Sequence, residues 1–214
     1  ISTIVAGYAT WLMLFRREKT VLVLATKFKT AANLAVKVKK MMKSIPDWLR
    51  IAEITVDNQT SFELSNGSNI KASTTSKSDA GRSEALSLLV IDEAAFVDGM
   101  DDLWKSIFPT LSTGGRCVAI STPNGVGNFY HKQWVGAKTG TNLFNPIFLH
   151  WTVHPERDQA WRDQQDIILG PGLAAQECDG DFLSSGNSVI DGNIIDVFSE
   201  ITSFNKIIAA QGTF

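Results

Sequence analysis

Little in this sequence of 214 residues marks a specialised class of protein. Its two cysteines, Cys117 and Cys178, are too few for a disulfide framework and too far apart for a metal-ligand doublet, which suits a reducing cytosol and indicates no redox role. Long apolar runs are missing as well. The most apolar stretch, ISTIVAGYATWLMLF, is shorter than the roughly 18 residues a membrane-spanning helix needs, is interrupted by Gly7 and Thr10, and meets Arg16 and Arg17. No basic n-region precedes it, so it does not read as a secretory signal, and a buried helix is expected instead. Repeats and low-complexity tracts are absent. With 44% hydrophobic and 20% charged residues, 16 glycines and 6 prolines, the chain is neither disordered nor collagenous nor a coiled coil, and it can bury a real core. It also lacks an initiating methionine and is inside a helical pattern at its first residue, which suggests a piece of a longer chain.

The formal net charge of −2 conceals an uneven distribution. Nine lysines and arginines against the single Glu18 fall between Arg16 and Lys43, whereas ten acids against Arg157 and Arg162 fall between Trp151 and Glu200. Two faces with different partners are one reading of this and solvated helix faces the other. The basic residues Lys37, Lys39, Lys40 and Lys43 read as a solvated face in preference to a phosphate-binding one. The six tryptophans are scattered, as packing residues are, and not interleaved with basic residues as stacking platforms are. His150 and His154 lie four apart with Cys178 downstream, but Pro155 and a strand-like surrounding spoil the helical spacing a zinc pair needs.

Hydrophobic periodicity predicts alternating strands and helices. TVLVLAT reads as a buried strand, and residues 29–43 as an amphipathic helix ended by Pro46. Residues 52–57 and 60–73 alternate, with Asn66-Gly67 as a hairpin signal at a sheet edge. Then SLLVI, RCVAIS and IFLHWTV read as three further buried strands, with helices over residues 101–108, at FYHKQWVGA, and over 158–169 and 173–178. The pattern predicts an α/β fold with a mostly parallel sheet, helices on both faces and a β-hairpin. Residues from Ser184 onward have no clear period and read as a linker.

The sharpest chemical feature is LSLLVIDEAAF, where a fully apolar strand runs straight into Asp92-Glu93. Ligands of open α/β sheets bind at the carboxyl ends of strands. Two adjacent acids there fit a magnesium nucleotide, with Asp92 on the metal and Glu93 as general base. The competing reading is that they only cap a helix. The next strand ends in Ser121-Thr122-Pro123-Asn124-Gly125, whose hydroxyls could sense a terminal phosphate, although such residues also suit any turn.

Together these residues resemble the ATPase motor of the large terminase subunit of tailed bacteriophages. The likeness rests on VIDEAAF as a Walker B motif with its glutamate, ISTPNGVGNFYHKQW as a coupling motif and helix, the FELSNGSNIKA hairpin, and AAQECDGDFLSSGNSVI as the stretch leaving the motor. It covers about residues 2–190. The resemblance implies a P-loop NTPase fold of the RecA type, with residues 1–183 as motor and 184–214 as a linker toward a nuclease domain that cuts DNA. It implies ATP and Mg²⁺ as cofactors, Arg82 as a trans-acting finger, and Ser121 and Thr122 as coupling residues. No G-x-x-x-x-G-K-[ST] occurs in the sequence. In the resemblance Ile1-Ser2-Thr3 falls at the tail of that motif, which puts Ser2 on the metal and Thr3 beside the nucleotide, and predicts that these residues alone hydrolyse ATP poorly. Implied partners are double-stranded DNA, the portal protein, a small terminase subunit and further copies in a homo-oligomeric ring, without a membrane, in the host bacterial cytoplasm and docked on the procapsid portal. The alternatives are a DExx-box DNA helicase domain, or a non-catalytic scaffold relative that lacks the P-loop.

Overall fold

A computed structural model describes residues 1–58, 60–75 and 85–183. They fall into two compact units that meet in sequence between Ser121 and Thr122.

The first unit is a six-stranded sheet with helices. Helix α1 (Ser2–Phe15) leads to strand β1 (Thr20–Ala25), helix α2 (Phe28–Ser44), strands β2 (Ile54–Asp57), β3 (Ser61–Leu64), β4 (Asn69–Thr74) and β5 (Leu88–Asp92), helix α3 (Met100–Ile107) and strand β6 (Arg116–Ile120). The sheet order is β2-β3-β4-β1-β5-β6. The pairings β4–β1, β1–β5 and β5–β6 are parallel, while β2–β3 and β3–β4 are antiparallel. The expected α/β architecture with a mostly parallel sheet and a hairpin is therefore present, and the antiparallel strands lie at one edge.

Side chains alternate across a strand, so each apolar strand feeds two cores. Val21, Val23 and Ala25 of β1 and Leu88 and Val90 of β5 pack with Ala6, Ala9 and Met13 of α1 and Leu34, Ala35 and Val38 of α2. The intervening residues Leu22, Leu24, Leu89 and Ile91 are buried on the other face, and α3 buries Met100, Leu103 and Ile107. Continuous apolar runs are what a parallel strand covered on both faces requires.

The Asn66-Gly67 turn joins β3 to β4 and does more than reverse the chain. Gly67 has φ +82°, a left-handed conformation that a β-carbon disfavours. The Asn66 amide donates to the carbonyls of Met13 (2.8 Å), Leu14 (3.3 Å) and Arg16 (3.2 Å), which the end of α1 leaves without helical partners. The hairpin thus fixes where the first helix stops.

The second unit contains helices α4 (Phe129–Thr139), α5 (Gln159–Leu169) and the short α6 (Pro171–Ala174), followed by a π-helical turn, Ala175–Asp179. Asn128 and Asp158 cap α4 and α5, accepting from the amides of His131 (2.9 Å) and Trp161 (2.8 Å).

One expectation fails here. IFLHWTV is not a strand: it carries no sheet pairing, and Trp151–Val153 forms a 3₁₀ turn. Pro146 and Pro155 bracket the run, and its aromatic members pack locally, Phe148 against Trp134 and Trp151 against Trp161. Apolar side chains with local aromatic partners do not need a ladder, and periodicity alone cannot make that distinction.

Candidate functional site

The site is built at the carboxyl end of β5. Leu88, Val90 and Asp92 share one face of the strand by alternation, so Asp92 continues a row that packs beneath α1 and α2. Its register partner on β6 is Ile120, which places Ser121 immediately beyond the same sheet edge. Burial pushes the Asp92 carboxyl above the ordinary carboxylate range, and the neighbouring Glu93 charge adds to that shift. Lys37 of α2 opposes it.

Glu93 is one of two non-glycine residues with positive φ among the described residues, at φ 56° and ψ 40°. Such a conformation costs on the order of 1–3 kcal/mol and persists where the surroundings impose it, often at functional sites. Two hydrogen bonds engage Glu93 itself, and a third ties down the turn just after it. The Glu93 amide donates to Asp92 Oδ1 (3.2 Å), the Thr26 hydroxyl donates to Glu93 Oε2 (2.9 Å), and the Ala95 amide donates to Ser121 Oγ (3.1 Å). The predicted residues Asp92, Glu93 and Ser121 are therefore brought into one constellation.

Thr26 was not evident from sequence. It follows the apolar strand β1 as one more polar residue, and only the sheet order, with β1 beside β5, reveals that it meets Glu93. Ser2 and Thr3 occupy the first turn of α1, where the leading amides have no helical acceptors and favour an anion. Thr122 lies in the second unit, and its hydroxyl donates to Glu177 Oε1 at 3.4 Å. Arg82 and the segment 184–214 fall outside the described residues.

The donor set fits a magnesium ion. A half-buried carboxylate and a serine hydroxyl are hard oxygen ligands, and magnesium is ordinarily held by one or two carboxylates together with phosphates and water. Asp92 in particular is a carboxylate whose charge is unfavourable without a nearby cation. The phosphate cradle is a different matter, since no residues here supply its glycine loop and lysine. A hollow of about 510 Å³ lined by Tyr8, Trp11, Arg16, Lys19 and Arg116 opens at the amino ends of β1, β5 and β6, remote from the acids. The candidate site is singled out by the chemistry of its residues and not by a hollow. No helix is long and apolar enough to cross a membrane among the described residues.

No protein-family model matches the chain. In sequence it is 30% identical over 141 residues to the terminase large subunit of Thermus virus P23-45, a match covering 58% of this chain and 28% of that relative. Its fold is similar to the large terminase ATPase domain of Thermus phage P74-26, with a TM-score of 0.64, 18% identity, and coverage of 85% and 83% of the two chains. It is also similar to the large terminase of a thermophilic bacteriophage in complex with ADP, with a TM-score of 0.63, 12% identity, and coverage of 83% and 44%. The chain is thus similar in sequence to large terminase subunits over part of its length and shares the α/β fold of large terminase ATPase domains. It spans well under a third of the curated relative's length.

Proposed function

We propose that this chain is the motor part of a phage large terminase subunit, which hydrolyses ATP to drive double-stranded DNA into a preformed capsid. The observation that carries the reading is Glu93, held in a strained left-handed conformation beside a half-buried Asp92 at the end of a parallel strand. A helix cap needs no such strain.

In this reading Glu93 receives the proton of the attacking water. Thr26 fixes Oε2, which orients the carboxylate and directs Oε1 to that task. Asp92 and Ser2 hold Mg²⁺, and Thr3 lies beside the nucleotide. The ion, when bound, offsets charge on the phosphates. Ser121 ties the strand end to the Glu93 loop through Ala95, so displacement of one is felt by the other. Ser121 and Thr122 couple phosphate loss to movement, and Arg82 completes the site of a neighbouring subunit. Residues 1–183 form the motor and 184–214 lead to a nuclease domain of the full-length gene product.

DNA would be moved by contacts to its backbone, which requires no reading of bases. The partners are the portal protein, a small terminase subunit and further copies in a ring, on the procapsid in the host cytoplasm. The ADP complex of the thermophilic bacteriophage's large terminase supports ATP as the nucleotide.

The test is DNA-stimulated ATP turnover by the full-length gene product with and without Glu93→Ala. Loss of a general base lowers turnover by roughly 10² to 10⁴. A Glu93→Ala protein that keeps most of the rate removes the assignment.

A further inference from the structure

The π-helical turn Ala175–Asp179 has polar anchors at both ends. At one end Gln176, buried at 9% exposure, donates its side-chain amide to the carbonyl of Pro123 at 2.7 Å. Beside it Glu177 accepts the long 3.4 Å bond from Thr122. At the other end Asp179 takes two bonds from Arg162 Nε, both 3.1 Å, and one from Arg162 Nη2 at 2.7 Å, and accepts from Trp151 Nε1 at 2.9 Å. Arg162 belongs to α5 and also pairs with Asp166 one turn on. Hydrogen bonds joined by the π-turn backbone therefore run from the loop leaving β6 to the first turn of α5, wholly within the second unit.

The loop itself has little freedom of its own. The Asn128 amide holds the carbonyls of Asn124 (2.8 Å) and Gly125 (3.2 Å), so three successive carbonyls from Pro123 onward are gripped by side-chain amides. Residues Thr122–Gly125 must then move as a block, with the π-turn attached. The π-helix is rare, occurs mostly as single turns, and such turns recur at functional sites.

Thr122 gives the arrangement its input. A threonine hydroxyl carries one proton, which it can give to Glu177 or to a phosphate oxygen but not to both. At 3.4 Å the bond to Glu177 is weak and readily surrendered.

We infer that Gln176 and Glu177 are positioning residues that read the state of Thr122 and Pro123, and that the π-turn passes this state to α5 through Asp179 and Arg162. The inference rests on the motor function proposed above and names a coupling element for it. Neither residue touches the reacting atoms. Their substitution should separate hydrolysis from movement instead of abolishing hydrolysis.

The experiment uses the full-length gene product and three readouts: ATP turnover, DNA packaged per ATP, and amide hydrogen exchange over residues 159–183 with ADP and with a non-hydrolysable ATP analogue. In the unsubstituted protein, exchange over this segment differs between the two nucleotides. In Gln176→Ala and Glu177→Ala, that difference collapses and DNA packaged per ATP falls about tenfold, the size of an ordinary coupling energy, while ATP turnover stays within about twofold. Glu177→Gln keeps an acceptor oxygen for Thr122 and restores coupling. Should Gln176→Ala fail to fold, the exposed Glu177 pair of variants carries the same test. Wild-type coupling and exchange in Glu177→Ala, or a proportional fall of turnover and packaging, overturns the relay while leaving the motor function standing. Absence of ATP turnover in the unsubstituted protein overturns both.

Discussion

The two units of this chain are held together by different means. The sheet-bearing unit, Ile1–Ser121, has an interior of aliphatic side chains, with Val21, Val23, Leu24, Leu88, Leu89, Val90 and Ile91 all essentially inaccessible. In the second unit, Phe129 and Ala174 are buried alongside two polar residues, Arg162 and Gln176. The hydrophobic effect is non-directional and tolerates small displacement, whereas hydrogen bonds lose strength steeply with geometry. A platform that must hold two carboxylates in place suits the first kind of interior. A body that must register a shift in a loop suits the second.

The difference can be probed by substitution. Leu89→Ala removes a fully buried side chain from the central sheet and should destabilise the first unit by about 2–5 kcal/mol, the range for large-to-small changes in a packed core. Truncation of Ile167, which is 85% exposed on α5, should change stability by less than about 0.5 kcal/mol. Denaturant unfolding of both variants measures the contrast, and equal losses would erase it.

A smaller effect is expected from Asp179→Asn. The Arg162 guanidinium holds the Asp179 carboxyl below its ordinary value, so its folded-state pKa lies beneath the unfolded one. The resulting stabilisation is complete above the unfolded value, near pH 4, and disappears as pH falls through the folded value. At neutral pH the substitution should cost about 1–2 kcal/mol, trimmed by solvent because the carboxylate is a third exposed. The gap in thermal midpoint between the two proteins should close in acid. A gap that is constant with pH would mean that packing, not charge, is at work.

The effect of Asp92→Asn on stability is of modest size, and its sign is opposite. Burial raises the Asp92 pKa, so its contribution is favourable below the unfolded value and is lost as pH rises through the raised folded value. The neutral amide should therefore increase the thermal midpoint at pH 7 by a few degrees, on the order of 1 kcal/mol, while abolishing metal-dependent activity. A decrease would show that the carboxylate is needed for the fold.

How much could be read in advance follows the same division. The central strands of the first unit were legible because strands buried on both faces must be continuously apolar, and the acids stood out because TVLVLA and LLVI make charge at a strand end conspicuous. Thr26 was not legible, since its role depends on β1 lying beside β5, a fact of strand order that local pattern does not contain. In the second unit the apolar run from Ile147 to Val153 was misleading, because its rings pack on Trp134, His150 and Trp161 instead of entering a sheet. Gln176 and Glu177 sit in an ordinary helical pattern, and nothing in composition distinguishes a residue that reaches a carbonyl more than fifty positions earlier. The Asn66 amide is an intermediate case: the turn was visible, its grip on the end of α1 was not.

The central claim is that Glu93 acts on water and not on binding. The most direct measurement compares ATP binding and single-turnover hydrolysis in the full-length gene product carrying Glu93→Gln. The account predicts that nucleotide affinity stays within about threefold while hydrolysis slows by at least about 10². Hydrolysis close to the wild-type rate, or loss of binding and hydrolysis together, would contradict it.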